Sequence, residues 1–234
     1  IKEWSISFAG CGFMGIYYVG VISCILQRFP RFIRDASTIY GASAGALMAA
    51  IITLGIPLGE WGFSPSFWGE SVSTVSNSSF NEVLESLLEK LPEDAHLRVS
   101  GKLSLSLTRV SDGRNLLVSQ FDSREELIQA LICSCFVPLY CGVVPPTYRG
   151  VYYVDGAVSD NLPRCQLGRT ITISPCAGES DLCPRVNSEN LYRVTSTFFP
   201  PEAEVRYSCS FPRLFESLSL ISESWLISLS GELN

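Results

Sequence analysis

The sequence predicts an α/β fold in which helices cover both faces of a mostly parallel central sheet, and three observations carry this. Short alternating or β-branched runs at residues 4–8, 37–40, 102–108, 151–154 and 170–174 read as strands. Apolar helical patterns at 13–28, 43–54 and 123–133 lie between them. Glycines or capping residues mark the strand-to-helix passages, as in chains of βα units.

The elements follow in order. Trp4-Ser5-Ile6-Ser7-Phe8 alternates apolar and polar residues, as a strand does. A glycine-rich turn at Gly10–Gly15 leads into the first helix, which runs to about Arg28. Residues 37–40 give a second strand. Residues 43–54 are uncharged and read as a buried helix, ended by Gly55 and Pro57. The uncharged stretch 39–59 has 21 residues and nears spanning length. Its glycines and Pro57 favour strand, turn and buried helix over a membrane span. Residues 57–79 read as a surface loop, and 81–90 as an amphipathic helix with Val83, Leu84, Leu87 and Leu88 on one face. Trp61, Phe63, Phe67 and Trp68 in that loop suit a lipid-facing lid or core packing equally.

Residues 102–108 alternate Leu and Ser, and Asp112-Gly113 signals a hairpin into 115–119. Ser123-Arg124-Glu125-Glu126 is a capping box that opens a helix through about Cys133. Pro138, Pro145 and Pro146 mark loops, and 178–190 is loop-like. The Leu/Ser-rich tail from Phe211 is a weak amphipathic helix. A main domain over residues 1–200 and an extension over 201–234 are expected.

Composition narrows the function. Of 234 residues 47% are hydrophobic, enough for a sizeable core. Net charge is −6, and the 17 basic residues form no cluster, which argues against nucleic acid and against a membrane surface read through charge. The cysteines number nine, irregularly spaced, with no C-x-x-C pair. They read as buried free thiols in a reducing cytosol rather than a zinc site or disulfides. The first residues are too short an apolar run for a cleavable leader.

Three motifs carry chemistry. Gly41-Ala42-Ser43-Ala44-Gly45 reads G-x-S-x-G between a strand and an apolar helix. That is the layout of a nucleophile elbow, where a sharp turn exposes a serine hydroxyl. Gly10-Cys11-Gly12-Phe13-Met14-Gly15 is G-x-G-x-x-G between the first strand and helix. It suits a dinucleotide pyrophosphate, an oxyanion hole or a plain tight turn. The second strand ends in Tyr40-Gly41 rather than in a ribose-binding acid, which lowers the dinucleotide reading. Asp155-Gly156-Ala157 ends a strand, where α/β folds place their chemistry, although Asp-Gly is also a common turn.

The single histidine, His96, falls on a polar stretch ahead of every later acid. A Ser-His-Asp triad would need it. A Ser43–Asp155 dyad is simpler. An unperturbed carboxylate is a poor base for serine, so Asp155 would need burial to raise its pKa. Asp160-Asn161 reads as a cap and turn near the site, and Ser106, Thr108 and Ser134 as filler.

With the three motifs in this order, the chain resembles the patatin-like phospholipase family, in its adipose triglyceride lipase and adiponutrin branch. The flanks agree: Ile6-Ser7-Phe8-Ala9 before the first glycine, Leu107-Thr108-Arg109-Val110-Ser111-Asp112-Gly113, Phe136-Val137-Pro138, Val144-Pro145-Pro146, Ile173-Ser174-Pro175 and Phe198-Phe199-Pro200-Pro201. The chain departs from the family pattern at 58–80 and 187–191. The resemblance implies a three-layer α/β/α fold and hydrolysis of long-chain acyl esters of neutral lipids or phospholipids, triacylglycerol most simply, at lipid-droplet or membrane surfaces. It implies Ser43 as nucleophile, Asp155 as base, the Gly10–Gly15 turn as oxyanion hole, and no metal or organic cofactor. It also implies an α/β-hydrolase-like coactivator protein, a small inhibitor protein, and a cytoplasmic location on droplets and the endoplasmic reticulum membrane. Acyl transfer through the same acyl-enzyme, or a low-activity droplet protein that sequesters the coactivator, are the alternatives.

Overall fold

In the computed structural model, residues 4–57, 88, 90–166, 168–176 and 178–184 are described. The sheet is built from β1 (Trp4–Phe8), β2 (Ile39–Gly41), β3 (Leu103–Arg109), β4 (Asn115–Val118), β5 (Thr147–Tyr148), β6 (Val151–Asp155) and β7 (Arg169–Ile173). The helices are α1 (Ile16–Arg28), α2 (Arg31–Arg34), α3 (Ala44–Leu54), α4 (Ala95–Val99) and α5 (Arg124–Cys135). The anticipated loop at 57–79, the helix at 81–90 and the tail from 201 lie almost wholly outside the described residues.

β7, β1, β2 and β3 run parallel, as expected, with β7 at the end of the strand order. β4 and β6 both add to β3 antiparallel, and β5 closes on β6. Leu105 pairs with Gly41 and with Val118, while Leu107 pairs with Asp155 and with Leu116. A residue has one partner on each side, so β2 and β6 occupy successive stretches of the same β3 edge.

All of β3 but its last residue is buried, and so is β1 after Trp4. Both faces of these strands are therefore covered, and the Leu/Ser alternation marks two different coverings rather than core and water. α3 is buried along nearly its whole length and packs on β1, β2 and β3. Gly55 ends it in the left-handed conformation at φ 68°. Among the described residues no helix is long and apolar enough to cross a membrane.

The capping box forms: Ser123 Oγ accepts from Glu126 N–H at 3.1 Å. The Glu126 carboxylate reaches Asp122 N–H, one residue before the cap, at 2.6 Å. Two boundaries shift. A 3-10 turn over Gly12–Gly15 precedes α1, so the helix begins at Ile16 rather than Phe13. The stretch around His96, read as a polar loop, is the short helix α4, because Ala95 and Val99 are spaced to bury against α3 and α5.

Candidate active site

Ser43 sits between β2 and α3 at φ 54°, ψ −130°. That conformation is costly for a residue with a side chain, by about 1–3 kcal/mol. It survives because the flanking backbones are locked in place. A Cβ on Gly45 would overlap the Phe8 and Ala9 carbonyls, so only glycine lets α3 start this close to β1. Ser43 C=O accepts from Ala46 N–H at 2.8 Å, which leaves Ser43 at the positive end of the α3 dipole.

Asp155 ends β6 and is 1% exposed. Its carboxylate accepts from Ala157 N–H at 2.8 Å and lies near enough to the Ser43 side chain for that hydroxyl to lower its pKa. Its own backbone is pinned twice: its N–H donates to Phe136 C=O and its C=O accepts from Thr108 Oγ1, each at 2.8 Å. Burial raises its pKa from 3.8 to about 7, against the opposing pull of the Ser43 and Ala157 hydrogen bonds. Ser43 and Asp155 are therefore neighbours, with burial raising the carboxyl into the neutral range.

The glycine turn lies against the pair. A Cβ on Gly10 would stand 2.9 Å from Ser43 Cβ and 2.9 Å from Ala157 Cβ. Two of its amides are already engaged: Gly10 N–H donates to Asn161 Oδ1 at 2.7 Å, and Met14 N–H to Cys11 C=O at 3.2 Å. Gly12 takes φ 53°. Cys11 is buried, and that burial pushes its thiol well above the usual range, so it stays a neutral thiol.

His96 makes no hydrogen bond to Ser43 or Asp155, and its buried Nδ1 lacks a partner among the described residues. Ser106, Thr108 and Ser134, read from sequence as filler, instead build the wall of the site. Ser134 Oγ donates to Ser106 C=O at 2.8 Å and accepts from Ser43 N–H at 3.2 Å. Thr108 Oγ1 also meets Ser159 Oγ at 2.7 Å. The available signal was polarity without charge at positions otherwise apolar: a serine inside Leu131-Ile132-Cys133-Ser134-Cys135, and every second residue of β3.

A strained serine at a strand–helix elbow, a buried carboxylate beside it and a glycine turn alongside match the layout of a serine-nucleophile centre. The patatin-like phospholipase model matches residues 6–164, and the chain belongs to that family. It is 47% identical over 230 residues to human patatin-like phospholipase domain-containing protein 2, covering 86% of this chain and 45% of that protein. It is 43% identical over 228 residues to human 1-acylglycerol-3-phosphate O-acyltransferase PNPLA3, covering 87% and 47%. The chain thus spans about half the length of the curated relatives it matches. Among solved structures, VipD from Legionella pneumophila aligns at a TM-score of 0.45 and 17% identity, over 74% of this chain and 49% of that one.

Proposed function

We propose that the chain is a serine acyl hydrolase acting on long-chain acyl esters of neutral glycerolipids, triacylglycerol most simply, at a lipid-droplet or membrane surface. The observation that carries it is the strained Ser43 at the start of α3 beside a buried carboxylate raised to about 7. In this reading the Ser43 hydroxyl passes its proton to Asp155 as Oγ attacks the ester carbonyl. Amides of the Gly10–Gly15 turn stabilise the oxyanion, with Cys11, Gly12 and Phe13 as donors, since Gly10 and Met14 are engaged. The intermediate collapses, Asp155 returns the proton to the departing alcohol, and acyl-Ser43 remains. Water then attacks, again giving its proton to Asp155; the bond to Ser43 Oγ breaks, Asp155 returns the proton to that oxygen, and the fatty acid leaves.

A lipid substrate is supported by an exposed apolar segment that follows Phe136, whose carbonyl accepts from Asp155 N–H. Residues 128–148 contain no charged side chain. Leu139, Val143 and Val144 within them are 52%, 63% and 71% exposed. The test is fatty-acid release from emulsified triolein by wild type, Ser43→Ala and His96→Gln, with and without an α/β-hydrolase-like coactivator protein. Loss in Ser43→Ala with retention in His96→Gln supports the proposal; no release from wild type under either condition overturns it. The acyltransferase relative favours a second reading, in which a lipid alcohol replaces water at the acyl-enzyme. Incorporation of label into product from a labelled 1-acylglycerol-3-phosphate acceptor would favour it.

A further inference from the structure

We propose that Asn161 is a positioning residue for the glycine turn, an inference that rests on the reading of Ser43 as nucleophile. Its Oδ1 accepts from Gly10 N–H at 2.7 Å, across 151 positions of sequence. A Cβ on Gly10 would also lie 2.8 Å from this oxygen. The first residue of the turn is therefore wedged between the nucleophile and the loop that carries the base. Asn161 is the polar group that fixes its orientation there.

That loop is itself rigid. Asp160 N–H donates to Gly156 C=O at 2.9 Å. Ser106 Oγ reaches the Asp160 carbonyl at 2.8 Å and the Gly156 carbonyl at 3.2 Å. Asn115 Nδ2 donates to Ser106 Oγ at 2.7 Å and to Ser159 Oγ at 2.8 Å. One braced segment, 155–161, thus sets two relations to Ser43 together. Asp155 stands beside the Ser43 side chain, and Asn161 holds the turn proposed as the oxyanion hole.

The residue type matters as much as its place. A side-chain amide oxygen accepts this hydrogen bond without bringing a charge. A carboxylate would accept it as well, but would set a negative charge beside an oxygen that becomes negative in the transition state. Asparagine satisfies the turn and leaves the field at the oxyanion undiminished.

The test compares wild type, Ser43→Ala, Asn161→Ala and Asn161→Asp on p-nitrophenyl butyrate and emulsified triolein, with melting curves for each. Asn161→Ala should lower kcat about tenfold to a hundredfold, the scale of a misplacement near 1 Å. KM and the pH midpoint of kcat/KM should hold, because Asp155 is untouched. Asn161→Asp should melt near wild type and still lose kcat; it gives the answer if the alanine variant fails to fold. Wild-type kcat in either variant would overturn the proposal. So would a shifted pH midpoint in Asn161→Ala, which would place the effect on Asp155. Absence of Ser43-dependent hydrolysis in wild type would overturn the proposed function and this inference together. Its presence with an unaffected Asn161→Ala would overturn this inference alone.

Discussion

Gly41 and Asp155 lie along one edge of β3, opposite Leu105 and Leu107 respectively. β2 is only three residues long and turns off into the elbow at Gly41, and β6 enters antiparallel on the vacated edge. Two residues of strand span about 7 Å. The register of a single strand therefore sets the separation of nucleophile and acid, and no loop has to reach across the site.

The first prediction concerns activity against pH. In the proposed mechanism Asp155 must be ionised to accept the Ser43 proton, and burial raises its pKa to about 7. Wild-type kcat/KM should rise tenfold per pH unit below that midpoint and level off above it. Asp155→Asn should lose roughly a thousandfold or more at pH 8, with a flat profile. A profile already level from pH 5 would contradict this assignment.

The same shift predicts a stability cost. The folded state holds the Asp155 proton more tightly than the unfolded chain, at about 7 against 3.8. Stability is then full below the unfolded value and falls as pH rises through the folded one, by about 4 kcal/mol in all. Asp155→Asn lacks this penalty. Its urea midpoint should exceed that of wild type at pH 8 and match it near pH 4.

Ser134 gives a third prediction. Its hydroxyl joins Ser43 N–H to Ser106 C=O, deep in the protein. Ser134→Ala strands both groups, at about 2 kcal/mol. The strained elbow loses a brace as well. Labelling of Ser43 by a fluorophosphonate should slow even where the variant is fully folded, and intact-mass spectrometry over a time course would read it.

Gly45 gives a fourth. A methyl group there meets the backbone of β1, which has no rotamer to change. Gly45→Ala should cost upwards of about 3 kcal/mol, visible as a lowered melting temperature or loss of soluble protein. A wild-type melting curve would show that the two chain segments can separate at little cost.

Much of this was legible in the sequence because the signals are local. The alternation of residues 4–8, the uncharged run of α3 with its Gly55 stop, and the Ser123–Glu126 cap each depend on a few neighbours in the chain. The motifs around Ser43 and Asp155 also named the pair that the fold brings together. What stayed hidden depends on pairing across the chain. β5 is two residues long and exists by virtue of β6. Ser134, Ser106 and Asn161 look like ordinary polar residues until the partners at Ser43, Gly156 and Gly10 are in place. Their roles depend on separations of 91, 50 and 151 residues, beyond the reach of any local pattern.

The shared edge of β3 also gives the order in which the molecule arms itself. During synthesis the elbow at Ser43 emerges long before Asp155. A nascent chain that has reached the end of β3 holds the serine and its helix but has no proton acceptor. Arrival of β6 fills the free edge and delivers the carboxylate in the same step. In the proposed mechanism reactivity is thereby tied to the arrival of β6, so a chain that ends before Asp155 would carry a serine without its proton acceptor.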